Sequence, residues 1–248
     1  MDSESRLSRI ETLWSVVIRA NDVADSGAST AQQQLLDRYG GAIRRYLLGA
    51  LRNEDAADEV FQEFALKFVR GDFAKANPDK GRFRQFVKTV IYRLVIDYQR
   101  RQQKGRRHVD LADVQADGEP TVTDQMEADF ANSWRSELLA RTWSAMEARE
   151  TETGKPLYTV LRVRVDHPDM RSTELANELT NRLGREVKAG NARVLVHRSR
   201  ELFAELLLDF VEESLQSRTE GELEQELIEL DLLSYCRPAL DARPPQGD

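Results

Sequence analysis

The spacing of apolar residues constrains this chain more than any other feature of its sequence. Along almost the whole chain, apolar residues recur every three or four positions, whereas strictly alternating runs are short. A period of three to four puts apolar side chains on one face of an α-helix, and a strand would require alternation. Val163 and Val165 alternate with arginines, but a five-residue run without a partner strand is better explained as helix. The sequence therefore predicts an all-α protein.

The patterned stretches form two sets separated by a polar segment. Four helices are predicted in the N-terminal half, within Leu13–Ile18, Leu35–Leu51 (with Gly40-Gly41 as a weak point), Val60–Val69 and Phe83–Tyr98. Between about Gln102 and Asn132 the apolar content collapses into Gly, Asp, Glu, Pro and Thr, a composition that cannot bury enough surface to fold. We therefore predict two small helical domains joined by a flexible acidic linker: a first domain at 1–104, the linker at 105–132, a second domain at 133–216 and an acidic C-terminal extension at 217–248.

Composition limits where such a chain would act. The 248 residues are 40% apolar and include one cysteine, Cys236, so no intrachain disulfide can form. Charged residues occupy Met1 to Glu11, where a signal peptide would be apolar, and no apolar run reaches membrane-spanning length. We therefore expect a cytoplasmic protein without membrane contact.

Charges are strongly segregated along the chain. The net charge is −7, which alone argues against nucleic-acid binding. Lys80 to Arg107 nevertheless contains ten Lys or Arg and a single acid, Asp97. Asp110 to Asp129 has seven acids and no base, and Asp209 to Asp231 has nine acids and one base. A basic block of this density predicts phosphate contacts.

Catalytic chemistry has no visible basis in the sequence. His108, His167 and His197 lack metal-ligand spacing, a Gly-rich phosphate loop is missing, and Cys236 has no nearby base. We predict no catalytic residue, no metal site and no cofactor.

Two segments indicate nucleic-acid chemistry. Ser172 to Leu183 forms a leucine-striped helix that breaks at Gly184 and is followed by a basic helix from about Ala189. This pattern fits a helix-turn-helix, in which the second helix reads the major groove, and equally an ordinary helical hairpin with a charged face.

The second segment runs from Gly81 to Arg101 and combines bases with aromatics, as single-stranded DNA binding requires. Phe83, Phe86 and Tyr98 are better explained as core residues. Tyr92 lies off that stripe and is the better candidate for a base contact.

These segments resemble a known family. Ala57-Asp58-Glu59-Val60-Phe61-Gln62-Glu63-Phe64, Gly81-Arg82-Phe83-Arg84-Gln85-Phe86 and Ile96-Asp97-Tyr98-Gln99-Arg100-Arg101 resemble region 2 of the extracytoplasmic function sigma factors. Glu178-Leu179-Thr180-Asn181-Arg182-Leu183-Gly184 and His197-Arg198-Ser199-Arg200-Glu201 resemble region 4. Thr12 to Val17 and Leu232 to Pro238 are similar to planctomycete-type variants.

The resemblance implies a subunit that binds core RNA polymerase, through its beta and beta-prime subunits, and promoter DNA in double- and single-stranded form. The implied core-polymerase contacts are Asp58, Glu59, Gln62 and Glu63. The implied contacts to the minus-10 element are Lys80, Arg82, Arg84, Lys88, Tyr92, Arg93, Arg100 and Arg101. The implied contacts to the minus-35 element are Arg185, Lys188, Asn191, Arg193, His197, Arg198 and Arg200.

Several alternatives stay open at this point. The family usually has Asn near the position of Arg93, and the turn after Gly184 is about two residues longer than in common members, so the promoter sequence cannot be carried over. A helix-turn-helix regulator acting without core polymerase is the competing function, and an anti-sigma factor or a regulatory kinase is an additional candidate partner. The stripe of Leu223, Leu227 and Leu230 either completes a core or holds acids against the DNA-binding helix.

Overall fold

The computed structural model describes residues 28–70, 72, 82–107, 124–215 and 220–243. Within these ranges the regular structure is helical throughout, in agreement with the all-α prediction. The helices are α1 (Ala28–Leu51), α2 (Glu54–Val69), α3 (Phe83–Arg107), α4 (Asp124–Thr153), α5 (Leu157–Asp166), α6 (Ser172–Leu183), α7 (Ala189–Glu212), α8 (Glu220–Glu229) and α9 (Leu233–Asp241). The helix predicted within Leu13–Ile18 lies outside the described residues.

The described residues divide into two compact units whose boundaries fall inside helices. The first unit contains the described residues up to Glu137 together with those of Glu212–Leu223. The second contains Leu138–Val211 and the described residues from Glu224 onward. This division differs from the predicted boundaries at 104, 132 and 216, because composition shifts along the chain do not report which helices pack together.

Local sequence accounts for the hairpin of α1 and α2 in the first unit. Asn53 caps α2, its Oδ1 accepting a hydrogen bond from the Ala56 backbone N–H at 2.8 Å. A Cβ at Gly40 would lie 3.2 Å from Cζ of Phe61, so glycine permits the close approach of these two helices. Gly40-Gly41 is therefore a packing site within a continuous α1, and not the predicted weak point.

Aromatic side chains from the start of α4 fill the centre of the first unit. Trp134 stacks on Tyr39 with ring centroids 4.5 Å apart, and lies 5.8 Å from Phe130 and 6.1 Å from Phe83. Phe130 meets Tyr46 edge to face at 5.3 Å. The helices α1 and α3 thus share a core with a helix that begins far along the chain.

This packing corrects the predicted linker. Helix α3 continues to Arg107 and α4 begins at Asp124, so both ends of the 105–132 range are helical, and residues 108–123 lie outside the described part. Phe130 is only 1% exposed. The prediction was wrong for 124–132 because it weighed composition: Met126, Phe130 and Trp134, spaced by four, form an apolar stripe, while Asp124, Glu127 and Asp129 point to solvent.

The second unit is built around α5, α6 and α7. Its buried cluster comprises Val160, Val163, Leu175, Ala176, Leu179, Val187 and Ala192. Val163 lies within a helix, as predicted. A second contact layer joins α4 to α7, since the rings of Trp143 and Phe203 are 4.8 Å apart.

The C-terminal helices α8 and α9 contribute buried side chains to the fold. Leu223, Leu227 and Leu230 are all buried. In the second unit, Tyr235 of α9 meets Phe203 of α7 edge to face at 5.8 Å, and Nη2 of Arg243 lies 2.7 Å from Oδ1 of Asp209. Cys236 is wholly buried, and burial raises the pKa of its thiol to about 11. These contacts favour a core-completing role for the leucine stripe. None of the described helices has the length and apolar character needed to cross a membrane.

Replacing Phe130 with alanine tests whether the start of α4 belongs to the first core. We expect Phe130→Ala to lower the free energy of unfolding by about 3–5 kcal/mol, since it removes a buried ring and leaves a cavity. Ser136→Ala, at an exposed position of the same helix, should change it by less than about 0.5 kcal/mol. Urea denaturation followed by circular dichroism measures both. Equal, small effects would show that 124–132 behaves as a linker.

Candidate nucleic-acid interface

Helix α3 has an apolar face and a basic face. Val87, Ile91, Leu94 and Val95 are buried at helical spacing, so the opposite face is left for solvent. Arg93, Arg100, Arg101 and Lys104 are exposed. The arrangement provides a row of cations on one rigid helix, as a nucleic-acid backbone would require.

Two of the predicted minus-10 contacts are buried. Arg84 and Tyr92 are each 3% exposed. The Tyr92 hydroxyl donates a hydrogen bond to the Met126 carbonyl oxygen at 2.7 Å, and its ring lies 6.1 Å from that of Phe130. Burial raises the pKa of Tyr92. The proposal that Tyr92 contacts a base is therefore wrong in this structure, because α4 covers the face of α3 that the linker prediction had left open.

The other predicted minus-10 contacts differ in their exposure and in the ion pairs that they form. Lys88 is engaged by α4, with Nζ 2.9 Å from Oε1 of Glu127, and Arg82 is half-buried. Nη2 of Arg101 lies 2.9 Å from Oε2 of Glu63, and this hydrogen bond raises the pKa of the guanidinium. Arg93 and Arg100 are exposed. Lys80 lies outside the described residues.

The predicted polymerase contacts on α2 also fall into two groups, residues that form ion pairs and residues that are exposed. Asp58 pairs with Arg44, and Glu63 pairs with Arg101 and also lies 3.8 Å from Nζ of Lys67. Glu59 and Gln62 are exposed.

Sequence reasoning missed two neighbours of Glu59 and Gln62, Leu66 and Val69, which are 54% and 52% exposed. The spacing 59, 62, 66, 69 could have revealed them, since it defines the helix face opposite to Val60, Phe64 and Phe68. We call these four residues the α2 face.

In the second unit, α6 and α7 are joined by a tightly held turn. Glu174 accepts a hydrogen bond from the Arg171 backbone N–H at 2.7 Å, which closes the start of α6. At its end Gly184 has φ +64, the left-handed conformation that favours glycine. The Val187 N–H donates to Oγ1 of Thr180 at 2.9 Å, so the turn is bonded back to α6. The predicted bounds of α6 are confirmed.

All seven predicted minus-35 contacts are exposed; Arg185 and Lys188 lie in the turn before α7, and the other five occupy two sides of this helix. Arg193, His197 and Arg200 line one open depression of about 600 Å³. Asn191 and Arg198 line another of about 420 Å³ together with Arg185. Lys188 is exposed in the turn.

The larger depression is more basic than the sequence suggested. Arg164 and Arg171 join Arg193, His197 and Arg200 around it, and Ser172 at the start of α6 accepts a hydrogen bond from Nε of Arg193 at 3.1 Å. Arg164 is held in place through a 2.7 Å hydrogen bond from Nη1 to the Met170 carbonyl. Sequence reasoning missed Arg164 and Arg171 because they precede the helix pair. Their convergence on one site suits a phosphate backbone.

In the described part of the chain, no group of three or more His, Cys, Asp or Glu side chains is placed to hold a metal ion.

Comparison with known proteins finds a similarity within the first unit. Residues 35–105 match the family model described as Sigma-70 region 2, and this segment covers most of α1, all of α2 and most of α3. Neither the curated proteins nor the solved structures yield a significant match.

Replacing Tyr92 with phenylalanine separates a packing role from a DNA-contact role. We expect Tyr92→Phe to lower the free energy of unfolding by about 1 kcal/mol, because the hydrogen bond to Met126 is lost. Binding to single-stranded DNA should stay unchanged. Tyr98→Phe is the control, since Tyr98 is only half-buried on the same helix. Reduced DNA affinity with unchanged stability would restore the base-contact hypothesis.

The same pair of variants reports the raised pKa of Tyr92. The pKa in the folded state lies above the ordinary value of 10.0, so this residue contributes stability below pH 10 that is lost as the pH rises further. Urea melts between pH 9 and pH 11 should therefore show a smaller alkaline loss of stability in Tyr92→Phe than in Tyr98→Phe.

Proposed function

Because residues 35–105 match Sigma-70 region 2, we propose that this protein is an RNA polymerase sigma factor. It binds core polymerase, recognises the minus-10 and minus-35 promoter elements and promotes promoter melting. The observation that carries the proposal is this match, which falls on three helices that present an exposed α2 face and a row of exposed cations on α3.

The α2 face provides the docking surface for the polymerase. Glu59 and Gln62 supply polar contacts, while Leu66 and Val69 supply apolar area on the same face, towards the end of α2. Exposed apolar residues bordered by polar ones are the usual make-up of a protein interface. Asp58 and Glu63, already paired within the unit, act mainly by holding Arg44 and Arg101 in place.

Arg93 and Arg100 provide the contacts to the single-stranded minus-10 element, with Lys80, Arg82 and Arg101 beside them in the basic block. Arg84 and Tyr92 stabilise the fold and are left out of the contact set. Lys88 can bind phosphate only by leaving Glu127.

The helix pair α6 and α7 acts as a helix-turn-helix on the minus-35 element. The rigid turn at Gly184 and the exposed residues at the start of α7 suit insertion into the major groove. The larger depression binds the phosphate backbone, while Asn191, Arg198 and Arg185 approach base edges.

The type of sigma factor is proposed from the sequence motifs. The pattern from Ala57 to Arg101 and the pattern from Glu178 to Glu201 favour the extracytoplasmic function type. Leu232 to Pro238 in α9 favours the planctomycete-type variant, and its companion Thr12–Val17 lies outside the described residues. We further propose that the protein acts in the cytoplasm, has no catalytic activity of its own, and is controlled by an anti-sigma factor or a kinase.

A regulator that acts without core polymerase is the second candidate. The observation in its favour is that all seven predicted minus-35 contacts are exposed on a unit with its own core. Such a regulator would bind duplex DNA tightly by itself.

Reconstitution distinguishes the two functions. With a competent core polymerase and a fragmented genomic library, we expect transcripts with defined start sites and heparin-resistant, permanganate-reactive promoter complexes. The protein alone should bind the same duplexes only weakly. Tight binding by the protein alone, with no transcription after core polymerase is added, would identify a conventional regulator.

Point variants test the division of labour between the two units. We expect Glu59→Ala, Gln62→Ala and Leu66→Ala combined to weaken core-polymerase binding about tenfold or more. Lys188→Ala or Arg193→Ala should cost about 1–3 kcal/mol in minus-35 recognition and leave core binding intact.

Controls for these variants lie on the same chain. Leu48→Ala removes an equally exposed leucine from α1, and Lys155→Ala removes an exposed cation from the loop before α5. Neither should affect binding of polymerase or DNA. A loss of core affinity in Lys188→Ala would contradict the assignment of roles.

A further inference from the structure

An exposed valine stands in the middle of the DNA-facing side of α7. Val194 is 48% exposed and lines the smaller depression, three residues after Asn191 and four before Arg198. On a helix these spacings place the three side chains in one row. The row is therefore an amide, an isopropyl group and a guanidinium in succession.

The fold gives no reason for a valine at this position. The buried side of this part of α7 is formed by Ala192 and Ser199, with Leu195 and Val196 partly buried, and Val194 lies away from it. A β-branched side chain lowers helix propensity relative to alanine. Val194, at 48% exposure, thus lies outside the buried cluster and slightly disfavours the helix.

Base edges in the major groove offer one chemical partner for such a group. They present hydrogen-bond donors and acceptors at every base pair, but the only methyl group among them is the C5-methyl of thymine. Asn191 carries the amide that pairs with adenine N6 and N7, and Arg198 carries the fork that pairs with guanine O6 and N7.

We propose that Val194 is a specificity-determining residue that recognises the C5-methyl of a thymine in the minus-35 element. The proposal rests on the proposed function, in which α6 and α7 bind duplex DNA. Residues three apart on a helix are separated by about 4.5 Å along its axis, whereas base pairs are about 3.4 Å apart. The thymine therefore lies one or two base pairs from the pair that Asn191 contacts.

Replacement of thymine by deoxyuridine isolates this contact, because the two bases differ only in the C5-methyl. The full chain is first assembled with core polymerase, and its preferred upstream element is selected from randomised duplexes. Each thymine of that element is then replaced singly by deoxyuridine, and Kd is measured by competition in fluorescence anisotropy. The same series is measured with Val194→Ser and with Val165→Ser. Val165 is 53% exposed on α5 and lines neither depression.

We expect one deoxyuridine to weaken binding of the wild-type protein and of Val165→Ser by about three- to fivefold, as the loss of one buried methyl contact implies. Val194→Ser should bind the thymine duplex about three- to fivefold more weakly and be indifferent to the same replacement. Sensitivity retained in Val194→Ser, or no sensitive thymine in the wild type, overturns the inference while leaving the proposed function intact. Failure to select any upstream element, with no promoter-dependent transcription, overturns the proposed function itself.

Discussion

The stacking of Trp134 on Tyr39, with Phe130 beside it, determines what the first unit can present to other molecules. These two rings enter the core from α4, a helix that lies outside the segment matched by the family model. Once they are in place, α4 covers one side of α3 and buries Tyr92 there; Arg84 is buried as well. Within the part of the chain that the structure describes, Arg93 and Arg100 are exposed on another side of α3. Core packing therefore selects the candidate contact surface from a larger set of basic residues.

The ion pairs on this surface are weak, so another anion can replace the carboxylate in them. Arg101 with Glu63 and Lys88 with Glu127 are partly exposed pairs, and pairs of this type contribute little to stability. A phosphate can replace a carboxylate at such a cation with little change in the folding free energy. In the proposed function, the carboxylates hold the long cationic side chains in position for contact with nucleic acid. This reconciles a net charge of −7 with a local affinity for DNA.

The sequence predicted the helices well and the spatial neighbours poorly, for one physical reason. Periodicity reports which face of a segment is buried, so the α6 bounds and the helical state of Val163 could be predicted from it. It does not report which distant segment covers that face. Tyr92 lies off the apolar stripe of α3 because it faces α4. The stripe of Met126, Phe130 and Trp134 was overlooked because the residues around it are mostly acidic. The exposed α2 face and the bases Arg164 and Arg171 were missed because their roles arise from convergence in space.

In the proposed function, one side of α7 supplies affinity for DNA and the other side supplies specificity. The four arginines around the larger depression can neutralise phosphates on any sequence, and their contribution falls as the salt concentration rises, because the release of counterions then gains less free energy. The smaller depression offers an amide, a guanidinium and the valine methyls, groups whose interactions depend on the base presented. In the proposed function, the second unit alone supplies only part of the phosphate contacts, so its affinity for duplex DNA is lower than that of the assembled enzyme. In the proposed function, tight binding requires the contacts of the first unit and of the polymerase to act on the same DNA, so promoter selection depends on the assembled enzyme.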